Sequence, residues 1–161
     1  MSIIEKYEKI RDAGRTLIYS MLDACVTKEM LQNAAKLLGI TLQGDEFVFD
    51  SEEETSVLMD FVLLDYKVND SVRANAVQVY RETRGGQNKV ENEILDSLLA
   101  SYTSLFEVVA VSGYTLLLKD LFRIMDKPIK LMDLGFSGCA IPGMLIFSAR
   151  AKECGEEVRH L

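Results

Sequence analysis

The sequence predicts an α+β protein, in which an N-terminal bundle of about five helices packs on a C-terminal small antiparallel β barrel or twisted sheet. Two observations lead to this prediction. Apolar residues recur at spacings of three and four through the first two thirds of the 161 residues. Short runs rich in β-branched residues, separated by glycine and proline, fill the rest. We expect residues 1–104 to be helical and residues 105–161 to form the β part, with one shared core.

The composition is that of an ordinary folded domain, with 48% hydrophobic and 27% charged residues. The N-terminal segment carries Glu5 and no long apolar run, so we expect no export signal and a cytoplasmic protein. The least charged stretch, residues 97–118, is diluted by serine and threonine, which argues against a membrane span. In the cytoplasm, Cys25, Cys139 and Cys154 are expected to stay reduced.

The first helix is predicted over residues 3–24 from a single apolar stripe. Its members are spaced alternately by four and three: Ile3, Tyr7, Ile10, Gly14, Leu17, Met21 and Ala24. The same spacing also suits a coiled coil, so a homodimer through residues 3–24 is an alternative to packing within the chain.

A second helix and a short extended segment follow. Thr27 is placed to cap the helix and Gly39 to end it. Gln43-Gly44-Asp45 is typical of a turn, and residues 47–49, which are Phe-Val-Phe, are predicted to be extended.

Eight acidic residues and no basic residue lie between Leu37 and Tyr66, in a chain whose net charge is −7. Ser51 and Glu54 have capping-box spacing, so the start of a third helix explains part of this charge. The alternative is an acidic patch that faces a partner, formed by Asp45, Glu46, Glu52, Glu53 and Glu54. Such a patch would bind another protein with a basic surface, and it makes nucleic acid an unfavourable partner.

Two more helices are predicted before the β part. Asp70 or Ser71 is placed to cap the fourth helix. Residues 84–87, Arg-Gly-Gly-Gln, interrupt the helical pattern. Asn88 and Glu91 then have capping-box spacing for a fifth helix, whose apolar face runs through positions 90, 94, 95, 98, 102 and 105.

The pattern changes from helix to strand after Leu105. Strands are predicted over residues 106–111, 114–119, 129–132, 144–150 and 156–161, with Ser112-Gly113 as a turn. The chain should pass directly from the fifth helix into the first strand, with Leu105 and Phe106 buried at the junction.

Three segments, Ser104–Val109, Leu116–Leu121 and Pro142–Arg150, carry a resemblance to a known group of proteins. They are similar to uncharacterised bacterial proteins in which a helical region precedes a small SH3-like β unit, of the type associated with the SEC-C zinc motif. That zinc motif, a close cluster of cysteine and histidine after the β unit, is absent from this sequence. The resemblance implies helices followed by a barrel, and it implies no activity.

Asp120 is a candidate site residue because it lies between Leu118 and Leu121, and an acid among apolar residues needs a partner. Arg123 is close in sequence, and Arg150 is a candidate across neighbouring strands. The two interpretations are a structural ion pair, such as Asp120 with Arg150, and a polar binding site.

Two further motifs have a catalytic and a structural interpretation. Gly85-Gly86-Gln87 resembles the catalytic loop of peptide release factors, but two glycines also serve to leave one helix before Asn88 caps the next. Cys139, Cys154 and His160 lack the close ligand pairs of structural zinc sites. We therefore predict no metal and no cofactor.

The leading functional hypothesis is a non-catalytic protein-interaction or adaptor module, because no catalytic motif is complete and the acidic residues suit a basic partner. The first alternative is a nucleic-acid-associated module that uses the β barrel. The second is a small hydrolase that uses the Gly85-Gly86-Gln87 loop or Cys139.

Overall fold

The computed structural model describes residues 2–67 and 74–150, with side chains described as far as residue 148. The chain divides into two compact units, one of residues 8–95 and the other of residues 96–161 together with residues 1–7. The predicted order of helices followed by antiparallel strands is confirmed. A single core shared by residues 1–104 and 105–161 stays a prediction.

The described residues contain five α-helices, which agrees with the predicted number. They are α1 (Ile3–Cys25), α2 (Lys28–Leu38), α3 (Glu52–Leu64), α4 (Ala76–Thr83) and α5 (Lys89–Leu99). Leu17 and Met21, from the predicted apolar stripe of α1, are buried. A homodimer through residues 3–24 stays a prediction.

The residues predicted to begin and end α2 are confirmed. The Thr27 hydroxyl accepts a hydrogen bond of 3.2 Å from the backbone amide of Met30, and Gly39 ends the helix with φ of 79°. A two-stranded hairpin follows, formed by β1 (Thr41–Gln43) and β2 (Glu46–Val48). α2, the hairpin and α3 share a core that consists of Met30, Ala34, Ala35, Ile40, Leu58 and Val62.

The starts of α3 and α4 differ from the predictions. The Ser51 side chain makes no capping hydrogen bond to α3, and Glu54 instead accepts one of 2.8 Å from the backbone amide of Asp50. α4 begins after Asn75, whose side chain accepts a hydrogen bond of 2.9 Å from the amide of Gln78 in a complete capping box. The predicted caps Asp70 and Ser71 lie outside the described residues.

The C-terminal β part is an open sheet. Its strands are β3 (Tyr102–Ser112), β4 (Thr115–Asp120), β5 (Ile129–Met132) and β6 (Leu145–Arg150), in the order β5-β4-β3-β6 with antiparallel pairing throughout. Of the two predicted forms, a barrel or a twisted sheet, the barrel is wrong, because among the described strands β5 and β6 are the two edges and do not pair with each other. The predicted strand over residues 156–161 lies outside the described residues.

One face of this sheet, here called the inner face, is apolar along most of its length. Its core consists of Phe106, Val108, Leu116, Leu118, Ile129 and Leu131, with Ala140 from the connection to β6. The register shifts between Val108 and Ala110, which leaves Val109 as the extra residue of a bulge.

The change from helix to strand comes earlier than predicted. α5 ends at Leu99 and β3 begins at Tyr102, so only two residues connect them. The spacing of Leu95, Leu98, Tyr102 and Leu105 suits a helix, but Tyr102 and Ser104 lie on the inner face of a strand with Phe106. Because Ser104 is polar, it hides the period of two that would have indicated the strand.

Candidate functional site

Asp120 lies at the end of β4, where the inner face of the sheet changes from apolar to polar. Its side chain is only 3% exposed, and Ser104 on β3 is buried beside it. Burying a carboxylate is unfavourable unless its oxygens accept hydrogen bonds. Asp120 is therefore expected to have several donors around it.

Four donors satisfy the two carboxylate oxygens. The Ser104 hydroxyl donates to Oδ1 at 2.6 Å, and the Tyr102 hydroxyl donates to Oδ2 at 2.9 Å. The backbone amides of Phe122 and Arg123 donate to Oδ1 at 3.0 Å and 3.1 Å. Burial acts to raise the pKa of Asp120, but these hydrogen bonds together lower the pKa below its usual value.

This arrangement suits a structural anchor better than an acid–base centre. A carboxylate whose pKa is lowered is a weak general base, and the Ser104 hydroxyl is buried with its proton directed at Asp120. Two of the four donors are backbone amides of the segment that follows β4. Asp120 thus fixes the path of the chain just after the strand.

The two arginines considered as partners of Asp120 are placed differently. Arg123 binds Asp120 through its backbone amide, and its guanidinium carbon lies 3.7 Å from the centre of the Tyr102 ring, a cation–π contact. Arg150 pairs with Tyr102 through the backbone of β6. The Arg150 side chain lies outside the described part of the structure.

The segment held by Asp120 presents three large apolar side chains to solvent. Phe122 is 71% exposed, Ile124 67% and Met125 97%. The amide of Asp126 donates to the carbonyl of Arg123 at 2.9 Å, which closes the turn. We call residues 122–125 the apolar loop. This loop was not among the predicted sites, although the four residues Phe-Arg-Ile-Met directly before Asp126-Lys127-Pro128 are a signal of an apolar segment at a turn.

The predicted acidic patch lies on the hairpin and the first turn of α3. Asp45, in the hairpin turn, forms an ion pair of 2.7 Å with Lys28 and accepts a hydrogen bond of 3.2 Å from Gln32. The hydrogen bond and charge of Lys28, together with Gln32, lower the pKa of Asp45. Glu46 is the first residue of β2.

Glu52, Glu53 and Glu54 occupy the first turn of α3, where negative charge suits the helix dipole. Glu53 is hydrogen-bonded by its own backbone amide and by the Ser51 side chain, which lower its pKa. The Glu54 carboxylate accepts a hydrogen bond from the backbone amide of Asp50. Three of the five patch residues, Asp45, Glu53 and Glu54, therefore have partners within the chain, and the partner-facing role of the patch stays a prediction.

The Gly85-Gly86-Gln87 loop has a complete structural explanation. Gly85 has φ of 65°, and a Cβ on Gly86 would lie 2.7 Å from the backbone nitrogen of Asn92. The backbone amide of Gln87 donates to Glu91 at 2.7 Å, and the Asn88 side chain accepts from the amide of Glu91 at 3.0 Å. Asn88 thus caps α5 as predicted, but the capping box is incomplete, because the Glu91 carboxylate accepts from the amide of Gln87 and not from that of Asn88. A hydrolytic role for Gln87 stays a prediction.

Cys139 is exposed, and its Sγ lies 3.3 Å from the carbonyl oxygen of Phe136. Cys154 and His160, considered with it as metal ligands, lie outside the described residues. Within the described ranges, no group of three or more histidine, cysteine and acidic residues is placed to hold a metal ion. No helix in these ranges is long and apolar enough to cross a membrane.

Comparison with protein families finds a match that covers most of the chain. The model of the Family of unknown function (DUF7986) matches residues 1–151. No curated protein and no solved structure matches the chain. Membership of an uncharacterised family is thus confirmed, whereas the resemblance to SEC-C-associated proteins with an SH3-like unit is not. Because the match covers nearly the whole chain, this protein belongs to the DUF7986 family, whose function is unknown.

Proposed function

We propose that this protein is a non-catalytic interaction module and that it binds another protein through the apolar loop. The observation that supports this proposal is the exposure of Phe122, Ile124 and Met125 within four consecutive residues, which lead into the turn that the Asp126–Arg123 hydrogen bond closes. Large apolar side chains grouped on a surface are typical of protein-binding sites, in which a few such residues provide most of the binding energy.

Anchoring by Asp120 strengthens the proposal. A loop that is already fixed loses less conformational entropy when it binds than a flexible one. Asp120 restricts the loop at Phe122 and Arg123, and the contact of Arg123 with Tyr102 restricts it further. The buried carboxylate therefore has a role in presenting the exposed side chains.

The charges around the loop indicate the chemistry of the partner. Arg123 lies within the loop and Lys127 follows it, with Asp126 as the acidic residue between the loop and Lys127. Two further basic residues, Lys119 and Lys130, lie on the neighbouring strands β4 and β5. The best-fitting partner surface is an apolar pocket with an acidic rim. A basic partner at the acidic patch is the alternative, which the internal pairing of Asp45, Glu53 and Glu54 makes the weaker one.

The nucleic-acid alternative rests on the same basic side chains. Nucleic acid binds through several phosphate contacts and stacked bases, and its affinity falls steeply with salt. The exposed tips here are one phenylalanine and two aliphatic side chains, and Arg123 already lies over Tyr102. This arrangement favours a protein partner over a nucleic acid.

The test is the triple variant Phe122→Ser/Ile124→Ser/Met125→Ser, used as bait in cell extract beside the wild-type chain. The matched control, Tyr19→Ser/Leu37→Ser/Val57→Ser, removes three exposed apolar side chains from helices of the other unit. We expect a protein that the wild type and the control capture and the loop variant does not, with direct binding then measured on the purified pair. Equal capture by all three baits, or capture of nucleic acid alone, would contradict the proposal.

A further inference from the structure

The two edges of the four-stranded sheet differ in how they are protected. β5 has four residues, contains Lys130 and follows Pro128, all features that discourage pairing with another strand. β6 has six residues and no charge or proline from Leu145 to Ala149. Among the described strands, none lies against the outer edge of β6.

The hydrogen-bond pattern shows which residues of β6 face this edge. Leu105 accepts a bond from the amide of Leu121 on the β4 side, and Val108 donates to Met144 on the β6 side. Because the bonding direction alternates along antiparallel strands, Ile146 and Ser148 direct their backbone groups toward β3. Leu145, Phe147 and Ala149 therefore direct their amides and carbonyls outward.

The residues with outward backbone groups also include exposed apolar side chains. Leu145 is 58% exposed and Phe147 67% exposed, whereas Ile146 between them packs against the inner core. Phe147 lies opposite Leu105, and Leu145 lies opposite Glu107, on the outer face of the sheet. Within the part of the chain that the structure describes, this edge thus offers backbone groups with no neighbouring strand, beside an apolar surface.

We propose that a second copy of this chain pairs with this edge, β6 against β6 in antiparallel orientation, about a two-fold axis through Phe147. This register keeps the outer faces of the two sheets on the same side, whereas a shift by one residue would place outer against inner residues. In this register Phe147 lies opposite Phe147 of the second copy, and Leu145 lies opposite Ala149 of the second copy. Residues 145–149 carry no charged side chain, so no like charges face each other over this range. The product is a continuous eight-stranded sheet.

This self-complementarity identifies a second copy as the occupant. Phe147 carries outward backbone groups, so the symmetric pair can exchange both of its hydrogen bonds. The proposal concerns a surface separate from the apolar loop and does not depend on the proposed function.

Sedimentation equilibrium of the full chain across a wide range of concentration provides the test. We expect the wild type to dimerise reversibly. Phe147→Lys should raise the dissociation constant at least about tenfold, because two positive charges would face each other at the axis. Phe122→Lys adds the same charge at a similarly exposed residue of the apolar loop, and it should leave the dimer unchanged.

Charge reversal separates a specific interface from a folding defect. Neither Phe147→Lys nor Phe147→Glu should dimerise alone, but an equimolar mixture should, because opposite charges then meet at the axis. A wild-type chain that stays monomeric at all concentrations would overturn the proposal. So would a dimer insensitive to Phe147→Lys, and loss of that dimer on Tyr19→Lys would place the interface on residues 3–24.

Discussion

At the scale of single residues, Asp120 is the side chain on which the local structure depends most. Replacing it with alanine would leave the Ser104 hydroxyl buried and two loop amides without an acceptor, and we expect a loss of about 3 kcal/mol in the free energy of unfolding. Asp120→Asn keeps one oxygen for these donors and should cost less. Urea unfolding of the three proteins at neutral pH measures both effects.

The lowered pKa of Asp120 also predicts a pH dependence. Because the folded pKa lies below the unfolded value of about 3.9, the stabilisation is fully present above that value and is lost as the pH falls through the folded pKa. The gap in unfolding free energy between wild type and Asp120→Asn should be constant from neutral pH to about 5 and shrink below about 4. A gap that persists unchanged in acid would show that Asp120 is not ionised in the folded protein.

Gly86 provides a second prediction at this scale. A methyl group there would collide with the backbone nitrogen of Asn92, so Gly86→Ala should destabilise the protein by about 1–3 kcal/mol. Gly14 in α1 is the matched control, since the nearest atom to its added Cβ is Ile94 Cδ1 at 4.0 Å. Gly14→Ala should be neutral or stabilise by up to about 1 kcal/mol. Thermal unfolding of the two variants gives the comparison, and equal effects would contradict it.

Residue patterns predicted that Asp120 needs a partner and indicated Arg123 and Arg150, but they did not identify the two hydroxyl donors. Its two side-chain donors, Tyr102 and Ser104, lie 18 and 16 positions away. They meet Asp120 only because β3 and β4 pair with Phe106 opposite Asp120. Hydroxyl groups carry no charge pattern that could have indicated this register in advance.

At the scale of elements, the N-terminal caps of α3 and α4 give a prediction. Asn75 makes both bonds of a capping box, whereas Ser51 makes no capping bond. Asn75→Ala should cost about 1–2 kcal/mol, and Ser51→Ala should cost clearly less. Chemical denaturation measures the difference, and a larger loss from Ser51→Ala would be inconsistent with the structure.

Strong local signals located most elements, and tertiary pairing decided the rest. Thr27, Gly39 and the Asn88–Glu91 pair act on neighbours within four positions, so the sequence alone was sufficient to predict them. The start of β3 at Tyr102 depends instead on pairing with β6, which lies more than 40 positions later in the chain. The open sheet depends on which strands become edges, and local periodicity contains no information on that choice.

At the scale of the whole molecule, the prediction of one shared core can be tested with Phe106→Ala. Phe106 is buried in the core of the sheet, so its truncation should cost about 3–5 kcal/mol. If the helices depend on the same core, helical circular dichroism and the amide protection of β3 and β4 should be lost together. Val109→Ala, at the exposed bulge of the same strand, is the control. Loss of the sheet alone would show that the two units unfold independently.

The most direct measurement on the anchored apolar loop is hydrogen exchange of the Phe122 and Arg123 amides, followed by NMR. Both donate to Asp120, so we expect them to be protected in the wild type, although the side chains around them are exposed. Asp120→Ala should remove that protection while the amides in the centre of β3 and β4 keep theirs. Fast exchange of Phe122 and Arg123 in the folded wild type, at the rate of unstructured chain, would contradict a loop held ready for a partner.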